Sequence, residues 1–169
     1  MSTNTTTDTR PIALVTGANR GIGLETVRRL AEAGYRVHLG ARDPAQGKVA
    51  ADGVGAEFLE LDVTSEKSVD AAAEALARSD GRLDLLVHNA GISGPLVEAK
   101  GYTADDAAAV MLTNVVGYIR LIHAFLPLLE RATEPRIVNV SSGLGSFGLR
   151  RRGSIRRMRV TCSPSPLMA

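Results

Sequence analysis

Residues 12–23 read Ile12-Ala13-Leu14-Val15-Thr16-Gly17-Ala18-Asn19-Arg20-Gly21-Ile22-Gly23, an apolar run followed by a glycine-rich segment. The apolar run predicts a buried strand that ends at Thr16 and Gly17. A helix is expected to begin inside the glycine-rich segment, where missing side chains let a pyrophosphate approach its positive N-terminus. The spacing G-x-x-x-G-x-G differs from the broader dinucleotide fingerprint G-x-G-x-x-G. Taken alone, the segment is also compatible with a strand-to-helix turn that binds nothing.

Strands and helices alternate along the chain beyond this segment. Further strands are predicted at 35–39, 56–63, 83–88 and 136–140, and a long helix at about 103–131. A helix capped by Thr64 or Ser65 is predicted between the third and fourth strands. The first helix is expected to end at Gly34 and to bury one face, made of Ile22, Val27, Leu30 and Ala31.

This alternation predicts an α/β protein with a Rossmann-like, doubly wound parallel sheet in the strand order 3-2-1-4-5. The pattern stops after Ser142, so we expect the sheet to be incomplete at its C-terminal edge. The strand at 136–140 would then be an apolar edge with unpaired backbone groups, which is a predicted aggregation site.

Length and composition are those of one globular domain. The chain has 169 residues, of which 44% are hydrophobic and 22% charged. No apolar run approaches the roughly 18 to 20 residues needed to span a bilayer, and the polar start of the chain lacks the core of a signal peptide. The single cysteine, Cys162, excludes an internal disulfide and a multi-cysteine metal site. We therefore expect a cytoplasmic protein without a metal and without a membrane partner.

Further motifs follow the later strands in a fixed order. They are Leu61-Asp62-Val63-Thr64, Asn89-Ala90-Gly91, Asn114 in the long helix, and Ile137-Val138-Asn139-Val140-Ser141-Ser142. With the glycine-rich segment, they make residues 11–148 resemble the short-chain dehydrogenase/reductase family, in particular its carbonyl-reductase-like members. The resemblance implies an NADP-dependent oxidoreductase that transfers hydride between NADPH and a small carbonyl or alcohol substrate.

The resemblance also implies a role for individual residues. Asp62 and the Val63 backbone would meet the adenine ring, and residues 89–91 would line the cofactor and brace the sheet. Asn114 would hold a helix kink and a proton-relay water, and Ser142, or less favourably Ser141, would bind the substrate carbonyl. The implied cofactor-binding residues are Gly17, Asn19, Arg20, Gly21, Ile22, Gly23, Arg42, Asp62, Val63, Asn89, Ala90 and Gly91. His88 replaces the first Asn usual in its motif, and we expect it to be a buried packing residue.

The choice between NADP and NAD can be argued from charge. An NAD site needs an acid near the end of the second strand to accept hydrogen bonds from the ribose 2′-hydroxyl. That strand contains no acid and is followed by Arg42, and Arg20 lies in the glycine-rich segment. Two guanidinium groups match a 2′-phosphate well, which favours NADP. The alternatives are that Asp43 pairs with Arg42 or that both arginines are simply solvated.

One element of the family pattern is missing. The family's general acid is the Tyr of a Tyr-x-x-x-Lys motif that follows the serine strand, but here the last tyrosine is Tyr118 and the last lysine is Lys100. Losing a positioned acid costs about 10²- to 10⁴-fold in rate. We therefore expect this chain to be a poor catalyst or none, and to be truncated or frameshifted near Leu149. A cofactor-binding pseudoenzyme or interaction protein is the alternative.

Charge divides the chain unevenly. All 18 acidic residues lie at or before Glu134, whereas residues 149–169 contain six arginines and no acid. We predict a disordered segment at 1–10, an NADP-binding domain at 11–148, and a basic, disordered tail at 149–169. A tail that binds nucleic acid is a weaker alternative, because its arginines lack interleaved aromatics and a helical face. An oligomer is expected only for an intact family member.

Overall fold

The computed structural model describes residues 9–142, which contain a five-stranded parallel sheet. The predictions for the basic tail and for most of the N-terminal segment lie outside these residues. The strands are β1 (Ile12–Thr16), β2 (Arg36–Ala41), β3 (Glu57–Glu60), β4 (Leu85–His88) and β5 (Arg136–Asn139). Their order, β3-β2-β1-β4-β5, and their parallel pairing confirm the predicted doubly wound sheet.

Helices cover both faces of the sheet. They are α1 (Gly21–Glu32), α2 (Pro44–Asp52), α3 (Glu66–Ser79), α4 (Ala104–Met111) and α5 (Gly117–Leu129), with a short 3₁₀ turn at Ala99–Gly101. A π-helical segment, Leu112–Val116, joins α4 to α5, so residues 104–129 form one helical stretch, as predicted. Ser65 caps α3 by accepting a hydrogen bond from the Ser68 amide, which decides between the two predicted caps.

The alternating side chains of the strands build two cores. Leu14 and Leu86 face α3 and α5, where Leu76 and Phe125 are buried with them. On the other face, α1 and α2 pack on a second cluster, which includes Ala13, Val15, Val37, Leu39 and Val87. The central strands β1 and β4 are covered on both sides and buried, as in other parallel sheets, whereas the edge strands β3 and β5 are partly or wholly exposed.

The predicted buried face of α1 is wrong at one position. Val27 is fully buried, but Ile22 is 70% exposed, since it lies five residues before Val27 and therefore about 140° away around the helix. The end of α1 is as predicted. Gly34 adopts φ +89°, and the Gly34 and Tyr35 amides donate to carbonyls of the last turn, which terminates the helix.

The edge strand β5 and the long helix both expose apolar surface. Within the described residues β5 pairs only with β4, and Ile137, Val138 and Val140 are 40–46% exposed. The helical stretch Ala104–Leu129 is long and apolar enough, by length and composition, to cross a membrane. This corrects the expectation that nothing in the chain is long enough, although core helices meet the same criteria and α5 buries Leu121 and Phe125 against the sheet.

Candidate functional site

The sequence-predicted cofactor residues meet at one edge of the sheet. The glycine-rich segment follows β1, Arg42 follows β2, Asp62 follows β3, and Asn89 follows β4. Because all strands are parallel, these positions share the carboxyl edge, which is where ligands bind in open α/β sheets. Ile22, with its exposed side chain, lies at the same edge in the first turn of α1.

Glycine is required in the first loop for two different reasons. Gly17 (φ +62°) and Gly21 (φ +60°) have left-handed backbone conformations that side chains disfavour. A Cβ on Gly17 would also lie 2.8 Å from the Ala90 Cα, whereas a Cβ on Gly21 would have no atom within 4 Å other than those of its chain neighbours and the backbone of its own helix. Gly17 therefore lets the loop pack on the 89–91 motif, and Gly21 leaves its backbone open to a ligand.

The N-terminus of α1 is prepared to receive an anion. No side chain caps α1 and its first turn holds no acid, whereas Asp43, Ser65 and Thr103 cap α2, α3 and α4. An uncapped first turn has backbone N–H groups without helical acceptors and a positive end of the helix dipole. The loop therefore fits the pyrophosphate of a dinucleotide.

Asn89 and Thr16 fix this loop to the sheet. The Asn89 Nδ2 donates to the Thr16 and Gly17 carbonyls at 2.9 and 3.0 Å. The buried Thr16 Oγ1 accepts from the Asn89 and Ala90 amides at 3.2 and 3.1 Å. The bracing expected of the 89–91 motif is thus present. The part played by Thr16 was missed by sequence reasoning, although a hydroxyl residue ending an apolar strand was a usable signal.

Two arginines in the loops after β1 and β2 have no counterion among residues 9–142. Arg20 and Arg42 are exposed and form no ion pair within residues 9–142. Their loops are joined by a hydrogen bond from the Ala18 amide to the Gly40 carbonyl at 3.0 Å. Asp43 does not pair with Arg42, the alternative considered from the sequence, because its carboxylate caps α2. Both guanidinium groups are therefore available to an anionic ligand.

Asp62 and Val63 form the next part of the edge. The Asp62 Oδ1 accepts from the Thr64 amide and hydroxyl at 2.9 and 2.7 Å, a local turn that fixes the residues after β3. The helix α5 approaches this turn closely, since a Cβ on Gly117 would lie 2.8 Å from the Val63 carbonyl oxygen. Arg120 donates to the Thr64 carbonyl at 3.0 Å and holds the same turn.

Asn114 lies in the π-helical segment, where the sequence predicted a kink. Its Oδ1 accepts from the Ile92 amide at 2.9 Å, and its Nδ2 donates to the Ile92 carbonyl at 2.8 Å. A single widened turn is a common place for a functional side chain. Here it brings the side-chain amide of Asn114 onto the loop segment just after Gly91, and a Cβ on Gly91 would lie 3.4 Å from the Asn114 Oδ1.

The two candidate serines follow β5 at the same edge. β5 lies beside β4, with Asn139 opposite His88 and the Val140 amide donating to the His88 carbonyl at 2.9 Å. Ser141 and Ser142 are both exposed, so exposure does not decide which of them faces a substrate. His88 itself is buried, as expected, with its ring centroid 3.9 Å from that of Tyr118. Burial lowers the pKa of the His88 imidazole to about 4, so the ring is neutral at pH 7.

Comparison with known proteins agrees with this architecture. Residues 11–153 match the family model described as short chain dehydrogenase. The chain is 37% identical to a (+)-neomenthol dehydrogenase from Arabidopsis thaliana, over 83% of this chain and 56% of that enzyme. It is also 37% identical to a (−)-isopiperitenone reductase from Mentha piperita, over 80% of this chain and 57% of that enzyme.

A solved structure adds a cofactor to the comparison. A metagenomic short-chain oxidoreductase in complex with NADP superimposes with a TM-score of 0.72 and 31% identity, over 78% of this chain and 62% of that one. This chain spans little more than half the length of the two curated relatives named above.

Proposed function

Because the chain belongs to the short-chain dehydrogenase family, we propose that it has the fold of an NADP-dependent oxidoreductase that interconverts a small carbonyl compound and its alcohol. The observation that carries the proposal is the uncapped N-terminus of α1 beside Arg20 and Arg42. The helix end suits the pyrophosphate, and the two guanidinium groups, which form no ion pair in the described part of the chain, suit the 2′-phosphate that distinguishes NADP from NAD.

The chain's own residues would perform binding and orientation. When bound, NADPH supplies a hydride to the carbonyl carbon of the substrate and is left as NADP⁺. Ser142, or Ser141, would donate a hydrogen bond to the carbonyl oxygen and favour the negative charge that develops there. Asn114 would keep α4 and α5 in register with the segment after Gly91 through its paired hydrogen bonds to Ile92.

The carbonyl oxygen also requires a proton, and this sequence contains no Tyr-x-x-x-Lys motif to donate it. The 169 residues contain no tyrosine after Tyr118 and no lysine after Lys100. In the absence of a positioned acid, water must supply the proton, at a cost of about 10²- to 10⁴-fold in rate. We therefore propose that this chain binds NADPH and turns it over slowly or not at all.

The substrate class is proposed from the relatives and from exposed apolar residues. The names of the two curated relatives refer to neomenthol and isopiperitenone, which are small alicyclic compounds with an alcohol or a ketone. After Gly91, the chain exposes Ile92, Leu96 and Val97 close in sequence to the Asn114 contact. Apolar side chains of this kind suit a small, largely hydrocarbon ketone.

Equilibrium titration with the reduced cofactors tests the proposal. The fluorescence of NADPH and of NADH, followed as the 169-residue chain is added, should show tighter binding of NADPH. Arg42→Ala and Arg20→Ala should each weaken NADPH binding about 10-fold, the effect of losing one charge-assisted contact, and should leave NADH binding nearly unchanged. Arg78→Ala, on the exposed face of α3, is the matched control. Equal or tighter NADH binding by the unmodified chain would contradict the NADP assignment.

A second assay separates binding from turnover. NADPH oxidation at 340 nm is followed with alicyclic ketones at a high concentration of the chain. Binding with little or no oxidation is the expected result. Rapid oxidation would show that another group supplies the proton, and would overturn the proposed catalytic weakness while leaving the cofactor assignment in place.

A further inference from the structure

We propose that Gln46 is a positioning residue that sets the preference for NADP over NAD by holding the Asp43 carboxylate away from the cofactor ribose. The inference rests on the proposed function, because it concerns the same cofactor. It assigns the preference to a hydrogen-bonded chain of three side chains, Asn19, Gln46 and Asp43, in addition to the two arginines.

Asp43 is held by the first turn of α2. Its Oδ1 accepts from the backbone amides of Ala45 and Gln46 at 2.9 and 3.1 Å. Pro44, the first residue of the helix, has no amide hydrogen, so the Ala45 and Gln46 amides are the backbone donors to the Asp43 carboxylate. The backbone thus engages one carboxylate oxygen and leaves the other to a side chain.

Gln46 takes the second carboxylate oxygen. Its Nε2 donates to the Asp43 Oδ2 at 3.0 Å. Its Oε1 accepts from the Asn19 Nδ2 of the glycine loop at 3.2 Å. A single side-chain amide therefore connects the helix cap to the loop that would hold the pyrophosphate, and both ends of the amide are used.

Asp43 lies close to the place that an acid occupies in NAD sites. An acid near the end of the second strand is the group that accepts hydrogen bonds from the ribose 2′-hydroxyl in NAD sites. Asp43 lies two residues after Ala41, the last residue of β2, and is the first acid there. With one oxygen on the α2 backbone and the other on Gln46, its carboxylate is neither offered to the ribose nor paired with Arg42.

The same contacts lower the electrostatic cost of a nearby phosphate. A carboxylate at a helix N-terminus is stabilised by the helix dipole, which offsets part of its negative charge. Releasing Oδ2 would leave it free to turn toward Arg42, the neighbouring residue, and to compete with a 2′-phosphate for that guanidinium group. Gln46 is thus placed to keep Arg42 available.

The central test is Gln46→Ala in the full 169-residue chain, titrated with NADPH and with NADH. We expect NADPH affinity to fall about 5-fold, because the released Asp43 carboxylate competes with the 2′-phosphate for Arg42, and NADH affinity to stay unchanged or to rise by up to about 2-fold, because the same carboxylate can then accept from the ribose hydroxyl. The ratio of the two dissociation constants is the readout, because a change in folding alone would move both together. Val49→Ala, also exposed on α2, is the control and should leave the ratio unchanged.

A double-mutant cycle tests whether Gln46 acts through Asp43. Asp43→Ser keeps an oxygen acceptor for the helix cap and removes the carboxylate. The proposal requires that Gln46→Ala change the ratio in the unmodified chain and leave it unchanged in the Asp43→Ser background. An equal effect of Gln46→Ala in both backgrounds would overturn it.

The remaining outcomes separate the inference from the proposed function. A chain that prefers NADPH, with a ratio unaffected by Gln46→Ala, overturns the inference and leaves the NADP assignment standing. A chain that binds neither cofactor, or prefers NADH, overturns both. Equal weakening of both cofactors by Gln46→Ala, with a lower melting temperature, would show a structural role only and would also overturn the inference.

Discussion

Gly23 and Asn89 lie so close together that a Cβ on Gly23 would come within 2.4 Å of the Asn89 Nδ2. The same Cβ would lie 2.8 Å from the Ala18 Cα and from the Gly17 carbonyl oxygen, which itself accepts a hydrogen bond from Asn89. The third glycine of the loop is therefore fixed by the packing of α1 against the end of β4. Its requirement is steric, since its φ is not positive.

The first prediction is that Gly23→Ala disrupts both the fold at this edge and cofactor binding. The added methyl group must displace the Asn89 amide or the loop backbone, and overpacking of this kind costs about 1–3 kcal/mol. Urea denaturation should show that loss, and NADPH titration should show binding weakened at least about 10-fold, since the displaced loop is the proposed pyrophosphate site.

A matched glycine makes the comparison specific. Gly53 follows α2, has an ordinary φ of −67°, and has no atom closer than 3.4 Å to the position of a Cβ. Gly53→Ala should therefore leave stability and NADPH binding nearly unchanged. Similar behaviour of the two variants would show that the close contact at Gly23 is relieved without cost.

Much of the architecture could be predicted because the strands carry unambiguous patterns. The central strands β1 and β4 are short, mainly apolar runs, and the alternation with helices leaves one sheet order as the expected one. Ile22 was placed on the wrong face, because it precedes Val27 by five residues, which is about 140° around the helix, while the next residue, Gly23, is buried. The apolar character of Ile22 therefore did not decide its burial.

The helix α2 was missed, and with it the function of Asp43. Only Gly47 and Ala51 of α2 are buried, so the apolar periodicity is weak. The local signal was present in Asp43-Pro44, an acid at the cap position followed by proline in the first turn. Gln46 was missed for the same reason, since its partners depend on the position of α2. The contacts of the site require a tertiary neighbour, which no local pattern supplies.

The second prediction concerns the paired hydrogen bonds between Asn114 and Ile92. Asn114→Ala removes one acceptor and one donor, and should lower stability by about 1–2 kcal/mol for the two bonds together. Hydrogen exchange of the Ile92 amide should become faster, because its acceptor is the Asn114 Oδ1. Thr113→Ala, which removes only a bond within the helix, should leave that exchange rate unchanged. Unchanged protection of Ile92 in Asn114→Ala would contradict the pairing.

The third prediction is a loss of stability in mild acid caused by His88. The pKa of the buried imidazole is lowered to about 4 by desolvation, against 6.5 for an exposed histidine. The unfolded chain therefore binds a proton at a higher pH than the folded chain. Above pH 6.5 this difference does not lower the free energy of unfolding. As the pH falls from 6.5 to 4 the loss of unfolding free energy grows to at most about 3 kcal/mol.

His88→Asn should flatten this part of the pH profile of unfolding free energy. Urea denaturation at pH 7.0 and pH 5.0 would measure the difference between the unmodified chain and the variant. His123, exposed on α5, provides the control, since His123→Asn should leave the acid loss in place. If the profile of His88→Asn falls as steeply as that of the unmodified chain, another group is responsible.

The fourth prediction concerns the exposed edge strand. Val138 is 46% exposed on β5, whose outer edge has no strand partner within residues 9–142, and an apolar open edge promotes association between chains. Val138→Lys places a charge on this edge and should raise the soluble fraction after expression and lower light scattering on concentration. Val49→Lys introduces the same charge on α2, where the side chain is 75% exposed and no edge is present. If both variants improve solubility equally, net charge is the cause, whereas improvement by Val138→Lys alone assigns the association to β5.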